Sequence, residues 1–137
     1  MSRDWFDDVL EFQKTFGFRV RTRPDWPTEP ELDLRLQLIR EEYQELLLAC
    51  EQRNLPDTAD AIVDLIYVLL GMATVMGIDA RPVWNEVHRA NMSKVGGPKS
   101  PNGKLLKPEG WQPPDIQKAL SQGQLEPLGM CPIVVWK

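Results

Sequence analysis

Histidine and cysteine, which carry much of enzyme chemistry, are nearly absent from this chain. Its 137 residues include one histidine, His88, and two cysteines. A single histidine cannot form a histidine-rich metal site, and it follows Glu86 by two positions rather than the three of the Glu-x-x-His motifs in di-iron bundles. The scarcity argues against both kinds of metal centre and against a histidine-based catalytic triad.

We expect neither a secretory signal, nor a membrane span, nor a basic patch in this chain. The N-terminal MSRDWFDDVLEF carries acids and lacks a basic start, so we expect a cytoplasmic protein in which Cys50 and Cys131 are reduced thiols. The apolar run after Asp64 ends at Ile78, short of the roughly 20 residues that cross a bilayer. The net charge is −4, without a dense cluster of lysine and arginine. We therefore expect neither a membrane nor a nucleic acid as partner.

Four amphipathic helices are predicted from the spacing of apolar residues. They run from about Arg3 to Phe16, from Glu29 to Arg53, from just after Asn54 to Val75, and from Asp79 to Lys94. No convincing strand occurs before residue 95. The sequence thus predicts the all-α class, with a four-helix bundle in residues 1–95.

The composition changes at residue 96. Residues 96–137 are rich in glycine and proline, and we interpret them as an extension and C-terminal tail of the same domain. Within them, Asn102-Gly103 predicts a tight hairpin turn. We also expect a short helix near Ile116–Leu120, followed by the apolar tail IVVW.

Three glutamates interrupt an apolar stripe on the second predicted helix. At about 100° per residue, Glu41, Glu42 and Glu45 lie within about 100° of arc, and leucines precede and follow them on that side. A solvated acidic face, helped by Arg35 and Arg40, is the ordinary interpretation of such a group. The flanking leucines instead indicate that this side of the helix is partly buried.

The third predicted helix repeats the pattern with aspartates. Asp57, Asp60 and Asp64 lie within about 60° of arc. Asp57 is explained by a capping arrangement with Asn54, whereas Asp60 and Asp64 lie too far along the helix for that role. An isolated carboxylate buried there would cost several kcal/mol or become protonated.

Carboxylates on facing sides of two antiparallel helices repel one another unless a cation lies between them. Hard cations such as Mg2+ bind carboxylate oxygens and commonly bridge them to substrate phosphates. We therefore predict a metal site formed by Asp64, with Asp60, and the glutamates of the second helix. On the fourth helix, Asn91 and Lys94 share the inner face and are predicted to bind phosphate oxygens. The alternative is that Lys94 only snorkels from the helix end.

Three segments, REEYQEL, DAIVDLIYVLLG and EVHRANMSKVGG, together resemble the all-α nucleoside triphosphate pyrophosphohydrolase superfamily. That group includes MazG, the dimeric dUTPases, dCTP pyrophosphatases and phosphoribosyl-ATP pyrophosphohydrolase. The resemblance covers about residues 30–96 and is closest to the small MazG-like enzymes related to dUTPases. The group's pattern is EExxE followed by ExxD, in which Asp64 is the final acid. Ala61 stands where ExxD has its glutamate, and the nearest acid is Asp60, so the number of metal ions per site stays open.

The resemblance implies a four-helix MazG-like bundle that assembles as a homodimer or homotetramer. It also implies hydrolysis of a nucleoside triphosphate to the monophosphate and pyrophosphate. The reaction would need Mg2+, with Mn2+ as a substitute. The implied substrate is a pyrimidine deoxynucleotide such as dUTP.

Site roles also follow from the resemblance. The implied metal ligands are Glu41, Glu42, Glu45, Asp64 and, as a less direct member, Asp60. Glu42, together with Glu45, is the implied catalytic carboxylate that orients or deprotonates water. Phosphate contacts and base stacking are expected from Asn91, Lys94, Arg89, Phe16 and Trp26. The alternative is a non-catalytic helical oligomer or nucleotide-binding regulator, which would keep the fold without an intact set of acids.

Overall fold

The computed structural model describes residues 2–125 of the chain. They form five α-helices: α1 (Trp5–Thr15), α2 (Glu29–Glu51), α3 (Leu55–Val75), α4 (Ala80–Met92) and α5 (Ile116–Gln122). The predicted all-α class is confirmed, since this part of the chain has one isolated β-bridge and no strand. The chain divides into two compact units, one with α1, α2 and α3, the other comprising Asp79–Gly123 with α4 and α5.

The first unit begins with a helix that is fixed by its own N-terminal residues. Asp4 accepts a hydrogen bond from the Asp7 amide, and the Asp7 carboxylate accepts one from the Asp4 amide. This capping box satisfies two amides that α1 leaves unpaired. The buried side of α1 consists of Phe6, Val9 and Gln13, and it packs on α3.

The α2–α3 pair is the centre of the first unit. Three residues, 52–54, join the two helices, which therefore run antiparallel. Gly71 of α3 lies against Arg35 of α2. Seven residues further along α2 and seven back along α3, Glu42 lies beside Asp64. Both contacts lie on one seam between the helices, two turns apart.

Helix ends differ from the predicted ends by one or two residues. α2 stops at Glu51 rather than Arg53, because Arg53 adopts a left-handed backbone with φ of 52°. α4 stops at Met92 rather than Lys94, and the Lys94 amide closes a turn by donating to the Asn91 carbonyl. The end of α3 at Val75 agrees with the prediction.

Much of the apolar surface of α2 and α3 faces outward in the single chain. The length and composition of α3 would allow it to cross a membrane. Core helices of soluble proteins meet the same criterion, so this is weak evidence for a membrane span. On α3, Ile62, Val63 and Leu69 are exposed. On α2 the exposed leucines are Leu34, Leu36, Leu47 and Leu48. The apolar surface of α2 is therefore not fully covered within one chain.

The second unit combines α4 and α5 with a glycine- and proline-rich loop. Around Asn102-Gly103 the predicted hairpin is reduced to one antiparallel bridge between Lys99 and Leu105, with Gly103 at φ of 88°. Trp111 donates its indole N–H to the Ala90 carbonyl at 2.8 Å and so ties this loop to α4. The predicted short helix is present as α5, and the apolar tail IVVW lies outside the described residues.

Candidate functional site

Three carboxylates meet on the α2–α3 seam. Glu42, Glu45 and Asp64 each offer one oxygen, and these three oxygens lie within 4.8 Å of one another. The spacing of Glu42 and Glu45 brings both to the same side of α2, and Asp64 approaches from the facing side of α3. The arrangement is suited to a hard divalent cation, which prefers carboxylate oxygens.

The electrostatics of this cluster disfavour three free negative charges. Burial raises the pKa of Glu42, and the charges of Glu45 and Asp64 raise it further. Burial likewise raises the pKa of Asp64, with additional repulsion from Asp60 and Glu45. Glu42 Oε2 is buried and accepts no hydrogen bond from any described residue. An orphaned carboxylate oxygen at the point where three acids converge fits a metal ligand.

The remaining predicted ligands lie around this cluster. Asp60 is exposed, yet it is near enough for its charge to raise the pKa of both Glu42 and Asp64. Glu41 is exposed, accepts a hydrogen bond from Gln37 at 3.0 Å, and is outside the three-carboxylate group. Ala61 is buried beside Glu45 and provides no ligand. A cleft of about 240 Å³ is lined by Glu45, Asp60 and Ala61, among other residues.

The predicted base-stacking residues lie at the surface of the first unit. Phe16 is 53% exposed and contacts Phe12, with ring centroids 4.6 Å apart. Trp26 is 71% exposed in the connection before α2. Phe12 also contacts Phe18 and Tyr67, so Phe16 belongs to a continuous group of four aromatic rings.

The predicted phosphate contacts belong to the second unit. Arg89 is bound to Glu86 in an ion pair of 2.9 Å, which holds the pKa of Glu86 low, at about 2. The Lys94 ammonium lies 5.6 Å from the centre of the Trp111 ring. Asn91 is exposed.

Two polar residues that the sequence analysis did not assign to the site lie on the same seam. Arg35 is 5% exposed, although the sequence suggested a solvated partner for the acids. Gln13 is 1% exposed and reaches from α1 to α3. The sequence contained one indication that Arg35 belongs to this seam. Arg35 precedes Glu42 by two helical turns and so shares its face of α2.

Comparison with known proteins places this seam in a recognised family. Residues 9–91 match the family model of phosphoribosyl-ATP pyrophosphohydrolase, a span that contains α2, α3 and all three carboxylates. An uncharacterized protein of Acanthamoeba polyphaga mimivirus is 38% identical over 78 residues, which make up 54% of this chain and 31% of that protein. The match thus spans less than a third of that relative. The resemblance drawn from the sequence segments is confirmed, and the chain belongs to the phosphoribosyl-ATP pyrophosphohydrolase family.

Proposed function

We propose that this chain hydrolyses a pyrimidine deoxynucleoside triphosphate, dUTP foremost, to the monophosphate and pyrophosphate with the help of Mg2+. The observation that carries the proposal is the convergence of Glu42, Glu45 and Asp64 within 4.8 Å, with Glu42 Oε2 left without a partner among the described residues. The family match supports pyrophosphohydrolase chemistry on a nucleotide-like substrate.

The carboxylates have different roles in the proposed reaction. Glu42, Glu45 and Asp64 are the proposed metal ligands, and Asp60 adds negative charge beside them. Ala61 stands where the family pattern has a glutamate and supplies no ligand. When bound, Mg2+ supplies neutralisation of the triphosphate charge and polarisation of the attacked phosphorus. Mn2+ has the same preference for oxygen ligands and is expected to substitute.

Glu42 is the proposed general base. Burial and its acidic neighbours raise its pKa, which makes it a better proton acceptor than an ordinary glutamate. The water oxygen forms a bond to phosphorus, the oxygen bridging the α- and β-phosphates leaves with pyrophosphate, and the water proton passes to Glu42. Glu41 is not assigned a step, since it is exposed and hydrogen-bonded to Gln37.

Phosphate contacts from Asn91, Lys94 and Arg89 remain part of the proposal. They rest on the sequence pattern of α4 and on the chemistry of ammonium, guanidinium and amide donors toward phosphate oxygens. The preference for a pyrimidine rests on the resemblance to dUTPase-like enzymes and on the aromatic residues that follow α1. Phe16 and Trp26 are the proposed stacking candidates.

The decisive experiment is a screen of the common ribo- and deoxynucleoside triphosphates with Mg2+ that measures pyrophosphate and orthophosphate release separately. We expect pyrophosphate and monophosphate from dUTP, and loss of at least about 100-fold in turnover for Asp64→Asn. Glu41→Gln is the matched control, since Glu41 is an acid of α2 outside the cluster, and it should retain most of the activity. Orthophosphate as the product would refute the reaction.

A non-catalytic regulator is the competing function. It would bind a nucleotide and Mg2+ without releasing pyrophosphate from any triphosphate in the screen. A rise in melting temperature with Mg2+ but no turnover would favour this alternative, because ligand binding stabilises the folded state whether or not chemistry follows.

A further inference from the structure

Arg35 is a buried cation that forms no ion pair with any described residue. Its side chain is 5% exposed, and no carboxylate of residues 2–125 lies within ion-pair distance of its guanidinium. Burial lowers the pKa of Arg35 and the charge of Glu31 acts in the opposite direction, but the Glu31 carboxylate itself is bound to Arg21 at 2.8 Å. The guanidinium lies 4.9 Å from the centre of the Phe18 ring. Burial without a counter-ion costs folding free energy, so a structural role alone explains Arg35 poorly.

Gln13 provides an unsatisfied buried acceptor at the same place. Its side-chain amide donates to the Gly71 carbonyl at 3.2 Å and to Thr74 Oγ1 at 3.0 Å. Those two bonds fix the orientation of the amide and leave Oε1 buried, with no hydrogen-bond partner in the described chain. An unpartnered buried acceptor is uncommon in folded proteins and calls for a ligand or a function.

Gly71 brings the two side chains together. A Cβ at residue 71 would lie 3.0 Å from Arg35 Nη1 and 3.6 Å from Gln13 Nε2, so both groups converge over this glycine. A side chain at residue 71 would press on the guanidinium. One location therefore holds the N–H donors of Arg35, the unpaired acceptor Oε1 of Gln13 and the ring of Phe18.

The distance from this location to the carboxylates is comparable to the length of a nucleotide. Arg35 precedes Glu42 by seven residues on α2, and Gly71 follows Asp64 by seven residues on α3. Seven helical residues correspond to about 10 Å. A nucleotide whose phosphates lie at the carboxylates extends its base over a comparable distance along the same seam.

We propose that Arg35 and Gln13 determine substrate specificity by recognising the lactam edge of the base, a carbonyl beside a ring N–H, with Phe18 as the stacking surface. This inference rests on the proposed function and assigns its base preference to named residues. The planar guanidinium covers the Phe18 ring in the ligand-free chain. The base takes that face, and the guanidinium moves to the edge of the base.

The hydrogen-bonding capacities of the two side chains set the selectivity. Arginine only donates, and the Gln13 amide N–H groups are engaged, so its Oε1 only accepts. Uracil offers O4 to the guanidinium and N3–H to Oε1. Cytosine in the same position presents an amino group to the guanidinium and a bare ring nitrogen to Oε1, which leaves two mismatched pairs. Sites built around such bonds reject the mismatched analogue strongly.

The first test compares kcat/KM for dUTP and dCTP in the wild-type chain, in Arg35→Met and in Arg40→Met. Methionine retains an apolar contact with Phe18, whereas Arg40 is an exposed arginine on the same helix and serves as the control. We expect Arg35→Met to raise KM for dUTP and to reduce the dUTP/dCTP ratio by about 10-fold or more, with kcat less affected. Arg40→Met should leave the ratio unchanged. An unchanged ratio in Arg35→Met would overturn the inference while leaving the proposed reaction intact.

The second test uses the metal-free chain and measures binding of dUMP and dCMP by calorimetry, so it does not depend on turnover. The wild-type chain should bind dUMP more tightly, and Arg35→Met should lose this preference. Arg35→Lys, which keeps the charge but loses the planar fork, should weaken dUMP binding to an intermediate degree and is the variant of choice if Arg35→Met does not fold. Equal binding of the two monophosphates by the wild-type chain refutes the inference. Absence of pyrophosphate release with selective dUMP binding would refute the reaction alone.

Discussion

At the scale of single residues, the site is a set of acids whose negative charges repel in the folded chain. Glu42 and Asp64 both have a raised pKa, because burial and neighbouring carboxylates disfavour their charged forms. A group whose pKa is higher in the folded state favours folding while it is protonated. That contribution is present below the unfolded-state pKa and is lost as the pH rises through the folded-state pKa.

Asp64→Asn should therefore stabilise the metal-free chain at neutral pH. Removing one charge relieves the repulsion, and we expect the melting temperature to rise by a few degrees. The difference from wild type should grow as the pH rises past the ordinary aspartate range near 3.8 and should fade below it, where the wild-type carboxyl is also neutral. Thermal melts with a chelator across this pH range measure the effect. A variant that is less stable than wild type at every pH would contradict the assignment.

At the scale of helices, the turn after α4 brings Lys94 to the same tryptophan ring as a loop lysine, Lys107. Lys94 and Lys107 both lie over the Trp111 ring, at 5.6 and 4.7 Å from its centre. Their shared contact is a cation–π interaction, which contributes modestly at a partly exposed site. Lys94 is predicted to share an inner face with Asn91 and bind phosphate there, whereas Lys107 belongs to the loop segment 96–107, whose lysines are expected only as outer phosphate contacts.

Lys94→Ala should lower turnover by about 10-fold or more, since a lysine–phosphate contact strengthens with the charge of the reacting triphosphate. Lys107→Ala is the matched control, because it removes an equivalent contact with Trp111. Both variants should melt within a few degrees of wild type. Steady-state kinetics together with thermal melts measure the two effects, and equal kinetic losses in both variants would show that Lys94 acts only through Trp111.

At the scale of the whole molecule, the outward-facing leucines of α2 and α3 argue for self-association. Leu47 and Leu48 are 51% and 52% exposed, and Val63 on α3 is 58% exposed. Monomeric soluble proteins seldom expose several large apolar residues on adjoining helices. The homodimer or homotetramer predicted from the sequence would cover them.

We expect light scattering to give the mass of a dimer or tetramer at micromolar concentration. Leu48→Lys should shift the population toward the monomer, because it places a charge in an apolar contact. Val95→Lys changes a residue that is 79% exposed in the second unit, and it should leave the mass unchanged. A wild-type chain that remains monomeric would contradict the proposed assembly.

Local signals in the sequence determined the helices. Each start is marked by a residue whose side chain caps the first turn, among them Asp4, Thr28 and Asn54. Apolar spacing then gave each end of the first four helices to within two residues. These features depend on hydrogen bonds and contacts between residues close in sequence, so they can be read without knowledge of the packing.

The composition of the site was decided by tertiary structure. The sequence placed Glu41, Glu42 and Glu45 within one arc of α2, but the rotation of α2 against α3 brings only Glu42 and Glu45 to Asp64. The same packing buries Arg35, which the sequence suggested as a solvated partner of the acids. A helical pattern fixes the angles between side chains on one helix and leaves the rotation of that helix against its neighbour undetermined. That rotation depends on how the side chains of both helices interlock, including the space that Gly71 leaves open, and this is a property of the pair.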